Sequence, residues 1–178
     1  MQEKISKLIP EKEIQDKVEE IAKNIAKDYK DKVIFVTILK GAKTFCYDLI
    51  KTIKKISDLK IENYFVKLSS YGDKTETSGE VKIEKDIEED LEGKDILIID
   101  DIVDTGLTLS FLKKYLLETK KAKSVKICAL LDKPSRRKIE VEIDYKGFEI
   151  PNKFVVGYGI DYAEKYRELP YVAFLVDK

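Results

Sequence analysis

Asp100, Asp101 and Asp104 stand close together at the end of the apolar run Ile96 to Ile99, and Thr105-Gly106-Leu107-Thr108 follows at once. Aspartate desolvates badly and favours neither strands nor helix interiors, so this cluster at the exit of a core strand is costly unless it faces a partner. The second half of the stretch suits an anion. Gly106 permits a turn with positive φ, Thr105 and Thr108 offer hydroxyls, and a helix starting near Leu107 leaves its first amides free for a phosphate. The first half cannot do that work, because carboxylates repel an anion unless they address hydroxyls, a metal ion or a developing positive charge. A phosphorylated sugar satisfies both halves. The chain contains no histidine, so any proton transfer falls to Asp, Glu, Lys or Tyr.

The surrounding elements must present that turn. Apolar runs rich in β-branched and aromatic residues lie at Val33 to Leu39, Ile96 to Ile99, Val125 to Leu131, Phe154 to Val156 and Val172 to Val176 and read as strands buried on both faces, and Ile61 to Leu68 fits another strand. Helical spacing marks Glu11 to Lys30, Phe45 to Ile56 and Leu107 to Thr119. The alternation predicts an α/β fold: an open, mostly parallel sheet flanked by helices. In such sheets ligands bind outside the carboxyl ends of the strands, where Asp100 to Thr108 lies. A Walker B strand would need a G-x-x-x-x-G-K-[ST] run, which is absent, and the acidic pair of a receiver domain follows the first strand rather than an internal one. The segment Ser69 to Ile87 is long, polar and glycine-bearing, and reads equally as an active-site lid or a surface hairpin.

Composition narrows the class further. The chain has 178 residues, 43% hydrophobic and 38% charged, with zero formal net charge. That is enough for one cored domain, and it gives no bulk attraction to nucleic acid or anionic membranes. Cys46 and Cys128 sit in apolar contexts and read as core thiols of a reducing compartment. Neither a signal peptide nor an apolar run of about 20 residues is seen, so a cytoplasmic protein is expected.

"ILIIDDIVDTGLT" resembles the phosphoribosyl pyrophosphate motif of type I phosphoribosyltransferases. "LKGA" at Leu39, "SSYG" at Ser69, "LLDKPSRR" at Leu130 and "IPNKFVVGYGIDYAEKYRELPYV" at Ile150 resemble, in the same order, segments of the hypoxanthine-guanine branch. The resemblance covers nearly the whole chain and implies one domain over residues 1–178, with a lid at about 69–87 and a small hood built from the chain ends. Within that hood, residues of about 150–178 would help bind a purine.

It also implies roles. Asp100 and Asp101 would accept hydrogen bonds from ribose hydroxyls, and Asp104, Thr105, Gly106, Leu107 and Thr108 would hold the 5′-phosphate, with Asp104 also exchanging a proton with N7 of the purine. Leu39, Lys40 and Gly41 would bind pyrophosphate through a non-proline cis peptide, helped by Ser70, Tyr71 and Arg167. Lys133 would donate to a 6-oxo group, Phe154 would stack on the base, and Val155 would meet its Watson-Crick side beside Asp161. Asp161, with Asp100 and Asp101, would hold Mg²⁺. Asp100 stands where some members carry Glu.

The implied partners are phosphoribosyl pyrophosphate and hypoxanthine or guanine, with no nucleic acid and no membrane, in a homodimer or homotetramer. Two alternatives stay open: a regulatory, RNA-binding relative, and the same reaction with xanthine preferred.

Overall fold

The computed structural model describes residues 3–71 and 80–177, apart from the side chain of Tyr71. Its centre is a six-stranded sheet. In chain order the strands are β2 (Lys32–Ile38), β3 (Lys60–Tyr71), β4 (Glu80–Lys85), β5 (Asp95–Val103), β6 (Ser124–Asp132) and β7 (Tyr145–Glu149), and across the sheet they run β4-β3-β2-β5-β6-β7. Every neighbouring pair is parallel except β3 with β4. A second, three-stranded antiparallel sheet in the order β1-β9-β8 joins β1 (Ile5–Ile9), β8 (Val155–Val156) and β9 (Val172–Leu175). The two chain ends therefore make the small sheet.

The middles of β2, β5 and β6 are apolar because both faces are covered. Successive side chains point to opposite faces. On one face Val33, Phe35, Leu97, Ile99 and Leu130 join the buried sides of α1 (Glu11–Asp28) and α2 (Lys43–Ile56). On the other face Ile34, Val36, Ile96, Ile98 and Ile127 pack against Leu109, Leu112 and Leu116 of α3 (Leu107–Glu118). Both cysteines are buried free thiols, and burial pushes Cys46 up to about 11.

Three expectations need correction. Phe154 to Val156 and Val172 to Val176 contribute to the small sheet, in keeping with the hood the resemblance implied, but Phe154 lies outside β8 and is 43% exposed, so that run is not buried on both faces. β1 and β7 were not expected at all. The flanks of Ser69 to Ile87 pair antiparallel as β3 and β4, with Ser70 opposite Val81, which agrees with the hairpin reading of that segment. Finally, Leu39 has already left its strand, which ends at Ile38. Among the described residues, no helix is long and apolar enough to cross a membrane.

Candidate active site

Register decides what meets at the carboxyl ends of the strands. Thr37 of β2 lies opposite Ile99 of β5, so Ile38 is carried alongside Asp100, and Asp100 itself lies opposite Ala129 of β6. Three strand exits thus open onto one edge. After β5 the chain turns through Gly106, at φ 87°, which forms the N-cap of α3 without a side-chain cap. A Cβ at Gly106 would come within 2.5 Å of the Ile139 carbonyl, so the position excludes larger residues on two grounds. Leu107 donates its amide to Thr105 Oγ1 at 3.3 Å. A cleft of about 190 Å³ opens here, lined by Ile38, Asp100, Asp104, Thr105, Gly106 and Thr108 among others.

The acidic pair is held by its own backbone. The amide of Asp101 donates to Asp100 Oδ1 at 2.9 Å, and that of Ile102 donates to Asp101 Oδ1 at 2.7 Å. Burial, then the neighbouring charge of Asp101, raises the Asp100 carboxyl well above the usual carboxylate range. Burial also raises Asp101, against lowering by hydrogen bonds from Asp100 and the backbone and by the charge of Arg167. Two crowded carboxylates of this kind present hard oxygen donors with an unmet demand for positive charge, which suits Mg²⁺. Asp161 does not complete a cluster with them: among the described residues no three acidic, Cys or His side chains are grouped as a metal site.

The loop after β2 approaches the same carboxylates. The Leu39-Lys40 peptide is cis, as the resemblance led one to expect. Gly41 is packed so closely that a Cβ there would come within 2.0 Å of Asp101 Oδ2. Above this loop lies the segment after β8, where Gly159 would in turn press a Cβ to 2.8 Å from the Gly41 carbonyl. Arg167 donates through Nη1 to the Gly159 carbonyl at 2.8 Å and lies 3.3 Å from Asp161 Oδ1 through Nη2. Asp161 is thus paired to an arginine. The Tyr71 side chain and residues 72–79 of the expected lid lie outside what the structure describes, while Ser70 is an exposed residue near the end of β3.

The third wall is the segment after β6. Lys133 is buried, and desolvation lowers its ammonium below the usual lysine range against the pull of the Asp104 charge. Its amide donates to the Val103 carbonyl at 2.9 Å, and the amides of Lys138 and Ile139 donate to the Thr105 carbonyl at 2.8 and 3.2 Å. Phe154 meets Tyr162 edge to face, 5.4 Å between centroids, and Val155 is buried in β8 opposite Phe174. An exposed aromatic face on the hood can receive a flat heterocycle.

A strand-exit turn shaped for phosphate, a buried lysine beside a carboxylate and a glycine-tight loop under a cap fit one known group of proteins. Residues 7–163 match the family model described as "Phosphoribosyl transferase domain". The chain belongs to the phosphoribosyltransferase family. It is 53% identical over 94% of its length to the hypoxanthine-guanine phosphoribosyltransferase of Bacillus subtilis (strain 168), covering 91% of that protein. It is 43% identical to the hypoxanthine phosphoribosyltransferase of Salmonella typhimurium, covering 99% of this chain and 98% of that one. Among solved structures, a hypoxanthine-guanine phosphoribosyltransferase of Bacillus anthracis with HEPES in its active site superposes with TM-score 0.90 at 44% identity, over 98% of this chain and all of that one. The fold is that of the family, including the mostly parallel central sheet.

Three further residues line these contacts and were not singled out from the sequence. Arg136 donates through Nε to Asp104 Oδ1 at 3.0 Å. Arg137 donates to the Asp104 carbonyl at 3.1 Å and pairs with the buried Asp132 carboxylate. All three stand inside "LLDKPSRR". A carboxylate ending β6 and two adjacent arginines could have signalled such bracing, since a buried Asp needs a cation. Glu164, which lies 3.5 Å from Lys40 and 3.3 Å from Arg167, carried no sequence signal.

Proposed function

We propose that the protein transfers the 5-phosphoribosyl group of phosphoribosyl pyrophosphate to N9 of hypoxanthine or guanine, releasing pyrophosphate, as a step of purine salvage. The bond from C1′ to the pyrophosphate oxygen breaks and a C1′ to N9 bond forms, while the imidazole proton of the base leaves. The observation that carries the reading is the turn from Asp100 to Thr108, in which a left-handed glycine opens an uncapped helix beside the buried Asp100 carboxylate and its half-buried neighbour Asp101.

In this reading Thr105, Gly106, Leu107 and Thr108 hold the 5′-phosphate with main-chain amides and hydroxyls, and Asp100 and Asp101 accept from the ribose hydroxyls. Asp104 takes the N7 proton as N9 attacks. Its carboxylate accepts from Arg136, and Arg137 braces its main chain, so the base meets an acceptor carried on a braced turn. Lys133 selects a 6-oxo acceptor over a 6-amino donor, and its partial burial sharpens the choice because an unpaired ammonium there is costly. Phe154 supplies the stacking face and the main chain of Val155 meets the base edge. Lys40, Gly41 and Arg167 receive pyrophosphate, with Leu39, Ser70 and Tyr71 beside them. Asp100, Asp101 and Asp161 would be the carboxylates to hold Mg²⁺, which would supply neutralising charge to the pyrophosphate. Such an ion typically takes one or two carboxylates and completes its shell with phosphate and water.

A homodimer or homotetramer is the assembly we hold for it, supported by the exposed Tyr47 and Ile56 on α2 and checked by light scattering. A cytoplasmic location goes with substrates whose charge keeps them from crossing membranes unaided. The deciding assay presents adenine, hypoxanthine, guanine and xanthine in parallel with phosphoribosyl pyrophosphate and Mg²⁺. Turnover of hypoxanthine and guanine is expected, and turnover of adenine alone would overturn the role given to Lys133.

A further inference from the structure

Glu164 bridges the two cations that the reading above gives to pyrophosphate. Its Oε1 lies 3.5 Å from Lys40 Nζ and its Oε2 lies 3.3 Å from Arg167 Nη2. These cations come from distant parts of the chain, one from the loop after β2 and one from the hood, yet a single carboxylate spans them. With Asp161 also on Arg167, two cations face two carboxylates and the cluster has no surplus positive charge to offer an anion. A polyanion arriving there meets both a filled position and a repelling group.

The backbone holds Glu164 in that position. Tyr162 and Lys165 exchange amide bonds at 3.0 and 2.9 Å around a two-residue turn, with Ala163 at φ 50° and Glu164 at φ 63°. Both central residues are left-handed, the pattern that normally selects Asn-Gly. Two residues with Cβ atoms are costly there. The Glu164 amide donates to Asp161 Oδ2 at 2.8 Å, which ties the turn to the other acid on Arg167. The Glu164 side chain is 67% exposed and that of Lys40 is 60% exposed, so their attraction is screened and weak. A weak internal partner is one that a tetravalent anion can displace.

We propose that Glu164 is an internal competitor for pyrophosphate, holding Lys40 and Arg167 together in the free protein, yielding to the diphosphate on binding and returning as it leaves. On this account it is a residue that sets affinity for the leaving group and speeds its release, rather than one that binds it. The proposal rests on the assignment of Lys40 and Arg167 to pyrophosphate.

The test is calorimetric titration of inorganic pyrophosphate, with Mg²⁺, into the full chain and its variants. E164Q keeps the backbone and removes the charge, and is expected to bind about five-fold more tightly, the effect of losing an exposed ion-pair competitor worth about 1 kcal/mol. E164G, which relaxes the left-handed turn and removes the same carboxylate, should show the same gain, and the remote E149Q should match the parent. K40Q and R167Q should weaken binding. In steady state, pyrophosphate should become a correspondingly stronger product inhibitor of E164Q. If E164Q is unchanged or weaker while K40Q and R167Q still lose affinity, the competitor role is wrong and the site assignment stands. A gain in E164G without one in E164Q likewise overturns it, because backbone rather than charge would be responsible. If K40Q and R167Q bind pyrophosphate as well as the parent, the site assignment itself fails and the proposal with it.

Discussion

The two halves of the site are built on different principles. The phosphate half is continuous in sequence, from Asp100 to Thr108, and is fastened to the segment after β6 by main-chain bonds from Lys133, Lys138 and Ile139 and by the Arg137 brace. The pyrophosphate half is assembled from the loop after β2 and the hood, and its polar side chains Lys40, Asp161, Glu164 and Arg167 are tied mainly to one another. Backbone bonds fix position, whereas exposed ion pairs worth about 0 to 1 kcal/mol each can exchange partners. The first half is suited to holding a group that stays with the product, and the second to releasing a group that leaves.

If the fixed half carries the chemistry, its loss should show in turnover. Asp104→Asn keeps the shape of the side chain and removes the proton acceptor. Turnover is expected to fall by at least about 100-fold, the usual range for a lost general base. Nucleotide monophosphate affinity, measured by titration, should change far less. Unaltered turnover would mean that the carboxylate only shapes the turn, and the contrast between the halves would lose its chemical content.

The halves meet at Gly41, where the next largest effect is expected. Since a Cβ there would stand 2.0 Å from Asp101 Oδ2, Gly41→Ala must displace either the loop or the carboxylate. Overpacking of about 1 to 3 kcal/mol corresponds to a drop of roughly 5- to 150-fold in kcat/KM for phosphoribosyl pyrophosphate. The thermal midpoint should move little, because a loop outside the core can yield. A variant with the parent's kcat/KM would show that the close approach has no functional part.

A smaller effect separates charge from shape at Lys133. Its ammonium is lowered by burial, so as pH rises it loses its proton before an ordinary lysine would. The charged form donates to the 6-oxo group, so binding of a 6-oxopurine nucleotide should be full below the lowered value and weaken as pH rises through it. Lys133→Arg keeps its charge throughout that range. The ratio of the two affinities, followed by titration from neutral to alkaline pH, should therefore turn in favour of the arginine variant, and a flat ratio would remove Lys133 from base recognition.

The same division explains what could be read from the chain. The phosphate half was legible because strand, turn and helix follow one another and each residue type has a local reason: apolar run, acids, Gly106 with φ 87°. β7 escaped notice because YKGFE is a polar edge strand with only Tyr145 fully buried, so neither periodicity nor apolar content marks it. β1 is short and draws its stability from pairing with β9 at the opposite end of the chain, which no local pattern reports. The small sheet therefore came only as the hood the resemblance implied. Glu164 was invisible for a further reason: an exposed charged side chain acquires meaning only from the group it meets across space.

The smallest predicted effect tests whether the hood acts as a separate unit. The Tyr158 hydroxyl donates to the Asp48 carboxylate on α2, and its amide donates to the Leu169 carbonyl at 2.8 Å, so the residue pins the turn carrying Asp161 and Glu164 to the helix that begins beside Gly41. Tyr158→Phe removes one hydrogen bond and leaves the ring in its buried place. The expected stability loss is about 1 kcal/mol, or roughly 2 to 4 °C in the thermal midpoint. If the hood is held independently of the turn after β5, pyrophosphate affinity should fall by a few-fold while the affinity for inorganic phosphate and for a nucleoside monophosphate stays at the parent's value. Equal losses for all three would mean that the site moves as one body. Loosening Tyr158 would then be felt at Thr105 and Thr108 as strongly as at Lys40, and a fixed half could no longer be set against an exchangeable one.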